Sequence, residues 1–101
     1  MNDLIFASAT AIAKSIKARE VSCVRMLDLY LERVERHNPK INAIIALNID
    51  PAKKRALEAD QALDRGENWG PLHGVPMTIK DAFEVTGMPT TSGSEDLKHY
   101  M

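Results

Sequence analysis

The sequence predicts an α/β fold: N-terminal helices followed by the first βαβ part of a larger, mixed and mostly parallel sheet. Two apolar runs and the segment between them carry that prediction. Ala43-Ile44-Ile45-Ala46-Leu47 is continuous rather than alternating, as expected of a strand buried on both faces. Val75 to Ile79 is a second short apolar run. Between them, Asp50-Pro51 pairs a capping residue with a proline at the first helical position, and Gly66 closes the segment. Strand, helix, strand in this order is a βαβ unit, with a right-handed crossover. The predicted strands cover about 43–48 and 75–80, and the predicted helices about 8–19, 22–38 and 51–65.

The first helix opens on Ser8, a capping type. Ala9, Ile12, Ala13 and Ile16 give it an apolar stripe, with Lys14, Lys17 and Arg19 outside. Ser22 caps the second helix, whose stripe is read as Val24, Leu27, Leu31 and Val34. Asn38-Pro39 is expected to stop it, because a residue before proline disfavours the helical region. The third helix has Ala52, Ala56, Leu57, Ala59 and Leu63 as its apolar set. Residues 66–74 form a turn-rich loop holding three glycines and a proline, with Trp69 as its anchor. Val85 is a candidate for a third short strand, and Gly87 to Gly93 reads as turn material.

Composition excludes several classes. Thirteen Lys+Arg balance 14 Asp+Glu, so the chain lacks the basic excess of a nucleic-acid footprint. Hydrophobic residues make up 45% and charged ones 27%, a globular balance. Aromatic content of 5% leaves the core to aliphatic side chains and alanine. A single cysteine, Cys23, forbids an internal disulfide and fits a reducing compartment. Neither a leader pattern nor a long apolar run is seen, so the expectation is a cytoplasmic protein without membrane contact. Two doubly buried strands also need more covering than three helices supply. The chain therefore reads as a single piece, 1–101, of a larger domain.

The chemistry centres on Lys80. It follows the second strand, and ligands in open α/β sheets sit at the carboxyl ends of strands. Strand alternation puts Thr78 and Lys80 on one side, with Met77 and Ile79 on the other, so Asp81 does not share the lysine's face. Most lysines are solvated surface charges. A lysine that acts does so as a neutral base or as a nucleophile. Cys23, in the first turn of the second helix, lies where the dipole favours thiolate, yet a small packed thiol is the simpler reading. His73 reads as a loop residue packed beside Trp69. His37, His99 and Cys23 share no metal-ligand spacing. Glycines 66, 70 and 74 are too widely spaced to cradle phosphate. Ser92 and Ser94 lie near the lysine in sequence and read as turn residues rather than nucleophiles.

The run Gly70-Pro71-Leu72-His73-Gly74-Val75-Pro76, continued through Lys80-Asp81 and Gly87-Met88-Pro89-Thr90-Thr91-Ser92-Gly93-Ser94, resembles the amidase signature family. Asn42-Ala43 after Asn38-Pro39, and Ala59-Asp60, are similar to it as well. The resemblance implies the amidase signature fold, of which this chain would be the incomplete N-terminal portion. It implies an amide hydrolase acting on linear carbon–nitrogen bonds through a Ser–cis-Ser–Lys triad. Lys80 would be the base, with Gly74, Pro76, Asp81 and Ser94 shaping the site. The partner would be a small-molecule amide, with no metal or cofactor, and a homodimer of the complete enzyme is compatible with it. No Gly-Gly-Ser-Ser-like stretch occurs in these 101 residues, so this chain alone is expected to be inactive. The alternative is a truncated, non-catalytic remnant, or a fragment that acts only with a complementary chain. Transamidation of aminoacyl-tRNA in a multi-subunit complex lies within the same family.

Overall fold

A computed structural model describes residues 2–80. Asp81 and Ser94, together with Ser92, His99, the strand candidate at Val85 and the 87–93 turn, lie outside the described residues. A short 3-10 helix, Asn2–Phe6, is followed by α1 (Ala9–Lys17), α2 (Cys23–Ile41) and α3 (Ile49–Asp64).

Local chemistry sets the helix ends. The Ser8 hydroxyl accepts from the Ala11 N–H at 3.1 Å, and the Ser22 hydroxyl from the Arg25 N–H at 2.9 Å. At the end of α3, Gly66 takes φ +79°, which lets the Gly66 and Glu67 N–H groups reach back to the Leu63 and Ala62 carbonyls. The start of α3 differs from expectation. It begins at Ile49, with Asn48 as a cap that makes no side-chain bond, and Pro51 sits third in the helix. The first-turn N–H groups have no helical partner, so proline costs nothing there.

The predicted stop at Asn38-Pro39 is corrected: α2 runs on to Ile41 with Pro39 in its last turn. The Asn38 side chain explains this. Its amide donates to the Ile44 carbonyl at 2.8 Å, and its oxygen accepts from the Ile44 N–H at 2.9 Å. Asn42, at φ 47°, then closes the helix by donating to the Asn38 carbonyl at 2.7 Å. These bonds compensate for the single backbone donor that proline removes.

The buried face of α2 is also not the predicted one. Cys23, Met26 and Leu29 are buried, whereas Val24, Leu27, Leu31 and Val34 are half-buried. Cys23, Met26 and Leu29 meet Ile12 and Ile16 of α1, Val21 and Ala59 of α3 in one cluster. α2 and α3 pack side by side, and the buried small residues Ala59 and Ala62 let the helices approach. The Tyr30 hydroxyl ties the 3-10 helix to α2 by donating to the Ile5 carbonyl at 3.0 Å.

The two predicted strands are not formed: the described residues are helical and contain no strand. Residues 43–48 and 75–80 run as irregular chain. Ile45, Leu47, Met77 and Ile79 stand about half exposed or more. A strand needs a neighbour for its N–H and C=O groups, and among the described residues neither segment has one.

Candidate functional site

The stretch 75–80 leaves the helical core at His73-Gly74. Gly74 has φ +78°, a conformation that L side chains rarely take. A Cβ added there would lie 2.3 Å from Cys23 Sγ and 3.2 Å from Cys23 Cβ. Glycine is therefore required twice over, by backbone angle and by the approach of α2.

His73 is the one buried polar residue among those described, 3% exposed. Its Nδ1 accepts from the Trp69 N–H at 2.9 Å, which leaves the proton on Nε2 to donate to the Ala59 carbonyl, also at 2.9 Å. Trp69 stacks on the imidazole with centroids 4.7 Å apart, and Arg55 covers the indole at 4.0 Å. Both ring nitrogens are thus occupied inside the fold, and His73 acts as a loop anchor.

At the start of α2, the Asp60 carboxylate of α3 accepts from the Cys23 N–H at 2.7 Å and the Val24 N–H at 3.2 Å. An anion at a helix N-terminus is favourable, and here it comes from another helix. Cys23 is packed rather than reactive. Burial, helped by the hydrogen bond and charge of Asp60, pushes its thiol from the ordinary 9.0 up to about 12, against a smaller lowering by its own backbone amide and by Arg19. The unfolded chain releases this proton near 9.0, whereas the folded chain holds it to about 12. The folded state then binds more protons, so stability falls as pH rises through that window. Urea midpoints near pH 7 and pH 10 check this: Cys23→Ala should lose less stability between them than the parent chain, and equal losses would contradict it.

Of the residues expected at the site, Gly74 and Pro76 are half-buried and Lys80 is exposed at the end of the segment. Among the described residues Lys80 makes no ion pair. No group of three or more His, Cys, Asp or Glu able to hold a metal occurs among the described residues. None of the described helices is long and apolar enough to cross a membrane. The anchoring roles of Asp60 and of both His73 nitrogens are not evident from sequence spacing. The one signal in the sequence is a carboxylate set between Ala59 and Ala62, on an otherwise apolar helix face.

The Amidase family model matches residues 25–101, a span that includes Gly74, Pro76 and Lys80. The chain belongs to the amidase family. It is 40% identical over its full length to a glutamyl-tRNA(Gln) amidotransferase subunit of Acidothermus cellulolyticus, and covers 20% of that protein. It is 38% identical to an acylamidase of Rhodococcus erythropolis over 94% of this chain and 20% of the relative. Against human fatty-acid amide hydrolase 2 the identity is 37%, over 89% of this chain and 18% of the relative. The chain thus spans about a fifth of the length of the relatives it matches.

Proposed function

We propose that this amidase-family chain contributes the general base, Lys80, to hydrolysis of a linear carboxylic amide. The match of the amidase model across the Gly74–Lys80 segment carries the reading. The structure adds the start of that segment: Gly74 gives up a side chain so that the chain leaving toward Lys80 can lie against α2.

In this reading the Lys80 amine takes a proton from a bridging serine held in a cis peptide. That serine takes the proton of a second serine as its oxygen attacks the amide carbonyl. Backbone N–H groups hold the oxyanion. The carbon–nitrogen bond breaks, the proton returns to the leaving amine, and water releases the acid from the acyl-serine. Both serines come from the remaining part of the amidase domain. The exposed apolar residues Ile45, Leu47, Met77 and Ile79 fit the same picture. They present two segments to neighbouring strands of an α/β sheet completed by that part of the domain.

A second reading, transamidation on a tRNA-linked substrate with partner subunits, is favoured by two relatives named as glutamyl-tRNA(Gln) amidotransferase subunits, 40% and 38% identical. It uses the same amide cleavage and differs in the fate of the released nitrogen.

The test is amine and ammonia release from a panel of aliphatic, aryl and glutamine amides. The full-length protein should release product, and residues 1–101 alone should stay at background. Turnover by residues 1–101 that disappears in Lys80→Ala would refute the assignment of the serines to the remaining domain.

A further inference from the structure

Two adjacent residues of α3 hold two separate pieces of chain. The Asp60 carboxylate fixes the first amides of α2 at Cys23 and Val24. One residue earlier, the Ala59 carbonyl accepts the His73 Nε2–H at 2.9 Å. The circuit closes on the far side, where Gly74 lies against Cys23. Three of its members are deeply buried, Cys23 at 1%, Ala59 at 2% and His73 at 3% exposed, and Asp60 and Gly74 are half-buried. No step of the proton relay uses them. The circuit ends one residue before Val75, where the chain sets out toward Lys80.

We propose that His73 is a positioning residue for Lys80. Its two ring bonds, to Ala59 and to the Trp69 N–H, fix the point and direction from which Val75–Lys80 leaves the helical core. Gly74 then keeps that exit tight against α2, which Asp60 holds in place. The inference rests on the reading of Lys80 as the base. Its physical content is that a misplacement of about 1 Å in a proton-transfer group costs about a hundredfold in rate.

Two measurements test it. In residues 1–101, His73→Ala should speed amide hydrogen exchange at Trp69 and Val75, the amides bonded at the two ends of this loop. In the full-length protein, His73→Ala should lower kcat about 10- to 100-fold while leaving KM within about twofold, because only the reacting geometry is disturbed. His73→Gln places an amide nitrogen near the Nε2 position and His73→Asn an oxygen near Nδ1, so each should recover part of kcat. These two variants also serve where the alanine protein fails to fold. Unchanged kcat in the His73 variants, or a loss confined to KM, overturns the positioning role when Lys80→Ala is inactive. Full turnover in Lys80→Ala instead overturns the base reading, whatever the His73 variants do.

Discussion

Replacing Lys80 by alanine in the full-length protein should lower kcat for amide hydrolysis by about 10⁴- to 10⁶-fold, because members of a proton-relay triad act as a unit. The loss would be chemical rather than structural. Lys80 is exposed and makes no ion pair among the described residues, so its truncation should move folding stability by no more than about 0.5 kcal/mol. Lys80→Arg separates charge from basicity. A guanidinium keeps the positive charge but is never neutral in a protein, so it cannot accept the proton. The arginine protein should be as inactive as the alanine one. Steady-state turnover with thermal midpoints alongside checks both variants. Activity within a few fold of the parent in Lys80→Arg would show that the lysine acts as a charge and not as a base.

The second large effect falls on folding. Gly74→Ala should destabilise the chain by about 2–5 kcal/mol, combining strain at positive φ with overpacking. The added Cβ would sit 2.3 Å from the Cys23 sulfur, at a residue whose amide is pinned by Asp60 and so cannot retreat. Gly66 is the internal control. It has a similar φ, +79°, but nothing lies within 4 Å of its would-be Cβ. Gly66→Ala should therefore cost only the backbone strain, about 1–2 kcal/mol. Adding Cys23→Ala to Gly74→Ala removes the clashing sulfur, so the double variant should be less destabilised than the sum of the singles. Urea unfolding of residues 1–101 reads all four. Equal losses in Gly66→Ala and Gly74→Ala would mean that the contact with α2 does not form.

How much of this is legible in the sequence depends on the range of each interaction. The caps at Ser8 and Ser22 and the glycine stop at Gly66 act within three or four residues, and they stand in the sequence as they do in the structure. Pro39 misleads because its effect is offset by Asn38 bonding to Ile44, six residues on. The α2 stripe misleads because period alone does not say which side α1 occupies. The stripe through Val24, Leu27, Leu31 and Val34 runs one or two positions away from Cys23, Met26 and Leu29, which are the residues α2 buries. The apolar runs at 43–48 and 75–80 carry a strand-like pattern but have no ladder partner among the described residues, so their pattern and their structure part company. Lys80 is legible only through the motif around it. The bonds of Asp60 to Cys23 and of His73 to Ala59 join positions 37 and 14 residues apart and leave no local pattern.

A substrate-independent measurement bears most directly on Lys80 as the group that activates a serine. A fluorophosphonate probe phosphonylates a serine hydroxyl only when a base has made it nucleophilic. The full-length protein should be labelled on one serine, and its Lys80→Ala variant, equally folded, should be left unlabelled. Labelling of both proteins at the same rate would contradict the account, because the serine would then draw its reactivity from some other group.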